Sequence, residues 1–144
     1  MIRIAGIHMA DAPSGKRHLN LNREWIELVN YGNSEKDIYG YVIVTNRGEK
    51  AVLEPGGQTA IMLEPGKSVL IFSGRPDAAN DPPGCFMEME SQRFFLCRTR
   101  PLWDREHDSA FLYHSMSSCL TDASGYIDAY HFSRHNQAKL ILGV

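Results

Sequence analysis

The sequence predicts an all-β chain, folded as an antiparallel β-sandwich of about eight or nine short strands. Three observations lead there. The segment Glu24-Trp-Ile-Glu-Leu-Val-Asn30-Tyr31-Gly32 joins β-branched and aromatic bulk to a turn stop, and so reads as a strand. Similar short runs recur along the chain, separated by Gly, Pro and Asn clusters. No stretch sustains a helical period; the only weak tendencies fall at residues 77–80 and 133–140.

In the central segment, alternation puts Ile26 and Leu28 on one face and Trp25, Val29 and Tyr31 on the other, leaving Glu27 as its only charge between apolar neighbours. A strand apolar on both sides belongs inside a sheet. Before it, Ile2, Ile4 and residues 5–7 make a first strand, and the polar stretch 11–22 reads as a solvated connection. After it, Tyr31-Gly32-Asn33-Ser34 suits a turn. Residues 37–46 form the next strand, which Gly40 is expected to bend as at a sandwich corner. Leu53-Glu54-Pro55-Gly56 and Leu63-Glu64-Pro65-Gly66 each place Pro-Gly at the centre of an expected type II turn, consistent with a meander of short strands.

Residues 67–74 form another strand, with Val69 and Ile71 facing one way and Leu70 and Phe72 the other. A proline-rich loop at 75–84 follows, then short strands at 94–97, 107–113 and 125–132, with a turn-rich link at 115–124. The apolar segment 138–144 is strand-like, and the expected organisation is one sandwich over residues 1–132 with an extension at 133–144 packed on it or on a neighbour.

At 144 residues the chain is long enough to bury a core without disulfides or metals. Apolar residues make up 43% and the net charge is −2, which gives no electrostatic footprint for a polyanion. Cys85, Cys97 and Cys119 are too few for a disulfide framework and are expected as reduced thiols. No run approaches the roughly 20 apolar residues that span a bilayer, and the strand-like alternation of the first residues leaves no room for an apolar leader. The expected location is cytoplasmic, away from membranes.

Catalytic signals are weak. Glu24 and Glu27 fall on opposite strand faces and cannot work as a carboxylate pair. The run Asp104, Glu106, His107, Asp108 offers ligands for a divalent cation, but without the spacing of a metal signature; a metal-dependent hydrolase is therefore the weakest reading. His131 and His135, four apart, read as surface histidines. No nucleophile elbow, Ser-His-Asp arrangement or phosphate loop is recognisable, so the expectation is a non-enzyme with no cofactor and no metal.

The order and spacing of Asn22-Arg-Glu-Trp-Ile-Glu-Leu-Val-Asn-Tyr-Gly32, Asp37-Ile-Tyr-Gly-Tyr-Val-Ile43, Leu63-Glu-Pro-Gly66 with residues 69–74, and residues 125–130 resemble the lamin tail domain family, in a prokaryotic-type form. The resemblance covers roughly residues 2–132 and implies an immunoglobulin-like sandwich. This chain has Tyr41 where the pattern carries Trp, a longer insert at 75–100, and Trp103-Asp104-Arg105-Glu106-His107-Asp108 where the pattern has a glycine-containing turn. The family's implied role is that of a non-catalytic module that binds proteins, and in some contexts nucleic acid.

Several strands are apolar on both faces, whereas a two-layer sandwich covers only one face of each sheet. The uncovered faces call for the 75–105 insert, the tail or another chain. The expected function is an interaction or assembly module, binding a protein partner or a second copy through sheet faces and edges. Trp25, Tyr31, Val42, Val44 and Phe72 are its candidate contacts, and Trp103 is a candidate anchor. A nucleic-acid-associated module using Arg93, Arg98, Arg100 and Arg105 is the alternative, which the net charge disfavours.

Overall fold

A computed structural model describes residues 1–9, 21, 23–75, 88–90, 92–103 and 107–133, the segment 88–90 by its backbone alone. It shows the expected β-sandwich. The elements are β1 (Ile2–His8), β2 (Trp25–Asn30), β3 (Lys36–Asp37), β4 (Val42–Thr45), β5 (Lys50–Val52), β6 (Met62–Leu63), β7 (Ser68–Phe72), β8 (Glu88–Glu90), β9 (Arg93–Phe95), β10 (His107–Tyr113), α1 (Met116–Thr121) and β11 (Asp128–Ser133). One sheet has the order β1-β2-β7-β9-β8, the second β11-β10-β4-β5, and β3 pairs with β6 alone. All pairings are antiparallel except that of β7 with β9. The strands exceed the expected number because pieces as short as β3 and β6 carry no readable alternation. The expected features at 76–87 and 134–144, and the connection at 11–22 apart from Leu21, lie outside the described residues.

β2 lies between β1 and β7, as its two apolar faces required. Ile26 and Leu28 are fully buried, while Trp25, Glu27 and Val29 are half-buried on the opposite face. Ile26, Leu28, Val69 and Ile71 of the first sheet share one core with Ile43, Ala110 and Leu112 of the second. Full burial of each large aliphatic side chain is worth about 1.5–3 kcal/mol. Along one side the two sheets are tied together: the Asp128 carboxylate accepts from Ile4 N at 2.7 Å and pairs with Arg3 at 3.5 Å.

The sequence 37–46 is two strands, not one. Gly40, at φ +82°, turns the chain out of the small sheet into β4. Gly40 N donates to Leu53 O and Leu53 N donates back to Tyr41 O, both at 2.8 Å, so the corner is closed by backbone bonds. The second Pro-Gly turn is as expected: Gly66 has φ +76° and Lys67 N donates to Glu64 O at 3.1 Å. The first is displaced by one residue. There the positive φ, +77°, falls on Gly57, and Gln58 N donates to Pro55 O at 3.3 Å.

Two buried polar side chains pin the ends of β2. At its C-terminal end, Asn30 donates through Nδ2 to Ser34 O (2.9 Å) and Leu63 O (2.8 Å), while its Oδ1 accepts from Gly32 N at 2.8 Å. Just ahead of β2, the Glu24 carboxylate, with no exposed surface, accepts from the Ser73 hydroxyl, from Leu102 N at 2.6 Å and from Trp103 N at 3.0 Å. Burial raises the Glu24 pKa above 4.5, opposed by the bonds from Ser73, Trp103 and Leu102 and by the charge of Arg98. These bonds seat Trp103 in the core, where its Nε1 donates to Ser109 O at 3.2 Å and its ring meets Phe132 edge-on at 5.7 Å.

The expectation of reduced thiols fails at Cys97, which is disulfide-bonded; Cys119 is free, and Cys85 lies outside the described residues. The 115–124 link, expected to be turn-rich, contains the short helix α1, whose N-cap Ser115 Oγ accepts from Ser118 N at 3.0 Å.

Three outcomes are expected from chemical denaturation. Glu24→Ala, by stranding buried donors at Ser73, Leu102 and Trp103, costs on the order of 3 kcal/mol, and Glu24→Gln, which replaces one acceptor by a donor, about 1–2 kcal/mol. Because the folded-state pKa of Glu24 is raised, the wild type gains stability over Glu24→Gln as pH falls through that pKa, and the gain levels off below 4.5. Gly66→Ala costs about 1 kcal/mol, whereas Gly56→Ala, outside the positive-φ region, costs a few tenths.

Candidate functional site

The outer face of the five-stranded sheet is organised in cross-strand rows. His8 pairs in register with Trp25, Trp25 with Phe72, and Phe72 with Phe95, so one aromatic row crosses β1, β2, β7 and β9. Its rings touch: His8 stacks on Trp25 at 5.4 Å and Phe72 on Phe95 at 5.3 Å. The next row is Glu27, Leu70 and Arg93, and the one beyond it Arg3, Val29 and Ser68. Trp25, Val29, Leu70 and Phe72 are half-buried, Phe95 at the β9 end of the row is buried, and Tyr31, just past the end of β2, is 64% exposed.

The four-stranded sheet is treated differently. Its outer face carries Val42 and Val44 beside Phe111 and Tyr113, and the β10–β11 connection folds back over it. Tyr126 packs against Phe111 at 5.3 Å and Tyr113 at 6.3 Å. The Tyr113 hydroxyl donates to Ala123 O at 2.6 Å, and burial pushes its pKa above 10.0, which keeps it a donor. Part of this face therefore has cover from its own chain, while Val44 and Phe111 remain half-buried.

The candidate contacts accordingly separate. Trp25 and Phe72 are neighbours on the outer face of the five-stranded sheet, and Tyr31 extends that face. Val44 is half-buried on the covered sheet. Val42, on the outer face of the four-stranded sheet, has no exposed surface, and Trp103, 1% exposed, lies in the core; neither offers anything to a partner. Sequence reading put Leu70 on the same face as Phe72 without naming it a contact, and missed His8, Phe95 and Arg93 as members of the face. Their alternation was readable, but the register that aligns them across strands was not.

Among the described residues, only two of the candidate arginines come together, at Glu49. Arg98 pairs with Glu49 at 3.0 Å, Arg100 approaches the same carboxylate at 3.4 Å, Arg93 stands on the sheet face, and Arg105 lies outside the described residues. Asp104 and Glu106 also lie outside them. Among the described residues, no group of three His, Cys, Asp or Glu side chains is placed to hold a metal ion.

A shallow cavity of about 510 Å³ lies at the end of β10 and β11, lined by Asn46, His107, Asp108, Ser109, His131, Phe132 and Ser133. Ser109 Oγ and His131 Nδ1 share a hydrogen bond at 2.6 Å. His131 is exposed, as expected of a surface histidine. A catalytic triad does not follow. Asp108 adjoins Ser109 on the strand and so projects to the other face, where its Oδ1 accepts from Asn46 N at 3.1 Å and Ser109 N at 2.8 Å and its Oδ2 is buried without a partner. No acid orients the imidazole among the described residues, and the pair is a cross-strand polar contact on the sheet surface.

No helix of the described residues is long and apolar enough to cross a membrane. In comparison with known proteins, no family model and no curated protein matches the chain.

Proposed function

We propose that the chain is a non-catalytic protein-interaction module of the lamin tail kind, which docks a partner on the outer face of its five-stranded sheet. The observation that carries this is the aromatic row His8, Trp25, Phe72 and Phe95, aligned in register across four strands of that face. Beside it Val29 and Leu70 are half-buried. Aromatic side chains at the centre of a flat face supply large contact area at small cost in conformational freedom.

The motif residues that carry the resemblance support the same reading, because their roles here are architectural. Asn30 ties β2 to the segment before Pro65-Gly66, and Glu24 ties it to the segment ahead of β10. Such bonds make a rigid scaffold and leave recognition to the surface. The nucleic-acid alternative draws less support, since Arg98 is engaged by Glu49, which offsets one of the two charges at 98 and 100. Disulfides are rare in reducing compartments, so the bonded Cys97 favours an oxidising location over the cytoplasm.

Site-specific photo-crosslinking tests the docking face. A benzophenone side chain at position 70 should yield protein adducts in an extract of the source cells, and the same group at exposed position 58, in the turn after Pro55, should yield none. Absence of protein adducts from position 70, or equal yields from both positions, would overturn the proposal.

A further inference from the structure

The docking face carries its own charge pattern. Glu27 on β2 and Arg93 on β9 flank Leu70 on β7 in a single register row, one strand away on either side. With strands about 4.8 Å apart, the two charges stand about 10 Å from each other across the central leucine, too far to neutralise one another directly. The row continues to Glu90, opposite Arg93 on β8 and described by its backbone alone; among the described side chains neither Glu27 nor Arg93 has an ion-pair partner. The aromatic row His8, Trp25, Phe72, Phe95 runs alongside, one outward-facing residue further along each strand.

We propose that the occupant of this face is a second copy of the chain, packed face to face about a two-fold axis that runs along β7. The inference rests on the docking reading above and names the partner. A two-fold rotation about the β7 direction inverts the row: the partner's β9 comes over β2 and its β2 over β9. Glu27 of each protomer then meets Arg93 of the other, twice by symmetry, with the two Leu70 side chains in contact on the axis. A two-fold axis across the strands would instead set Glu27 against Glu27 and Arg93 against Arg93. The charges therefore select one orientation as well as the partner. The aromatic rows of the two copies lie over one another in the selected orientation, Trp25 of each copy facing Phe95 of the other and the two Phe72 side chains meeting on the axis. Half-buried aromatics that a monomer leaves partly wet are thereby removed from water.

Sedimentation equilibrium on the full chain, with charge swaps, tests this. The wild type should be a dimer at about 100 μM. Glu27→Arg alone and Arg93→Glu alone each set like charges in contact at both symmetry-related sites, and should weaken the dimer by at least roughly tenfold. The double swap Glu27→Arg with Arg93→Glu should restore it, a result that mere damage to the fold would not give; circular dichroism confirms that each variant is folded. A monomeric wild type, or folded single variants whose loss the double swap fails to repair, would overturn the self-pairing. If position 70 still crosslinks to other proteins while the chain is a monomer, self-pairing falls and the docking face stands. If it crosslinks to nothing, both fall.

Discussion

A strand paired on both edges and apolar on both faces imposes one constraint on the molecule: each face needs cover, and a sandwich provides it on one side only. β2 is such a strand, and β7 beside it is another. Ile26, Leu28, Val69 and Ile71 are met by the second sheet. Trp25, Val29, Leu70 and Phe72 look outward, and with Phe95 and His8 they form an ordered surface rather than scattered exposed apolar residues. The four-stranded sheet met the same difficulty by folding Tyr126 and the helix-bearing connection over itself.

The frame that holds this face flat depends on polar groups buried inside the sandwich. Glu24 and Asn30 stand at the two ends of β2 and gather backbone groups from segments far away in the chain. Leu102, bonded to Glu24, is 78 residues distant. Burying a carboxylate is costly unless its oxygens are met by donors, and here two peptide N–H groups and a hydroxyl meet them. The same bonds bring Trp103 into the core beside Phe132 and Ser109. The motif residues thus act on geometry, and no chemistry needs to be assigned to them.

What was legible in the sequence was local. The alternation in β2 and β7, the corner at Gly40 and the turn at Pro65-Gly66 depend on a few adjacent residues, and each was readable. The misplaced turn at Pro55 shows the limit: Gly56 and Gly57 were both available for the positive φ, and the strand register chose between them. Helix α1 covers less than two turns and leaves no periodic trace, although Ser115 in the cap position was a signal. The interior place of Trp103 and the parallel pairing of β7 with β9 depend on contacts between distant segments. An aromatic residue in a polar stretch reads as a surface anchor until a buried carboxylate is seen to hold its backbone. The aromatic row was half legible: alternation marked Trp25 and Phe72 as outward, but alignment with His8 and Phe95 needed the register.

The central claim is that the outer face of the five-stranded sheet takes a protein partner. Acrylamide quenching of tryptophan fluorescence tests it most directly, because one tryptophan lies on that face and the other, Trp103, is 1% exposed. The account predicts that Trp25 is quenched in dilute solution and becomes protected as protein concentration rises, with Trp103 shielded throughout. Equal shielding of both tryptophans at every dilution would show that the chain covers this face itself, and would contradict the account.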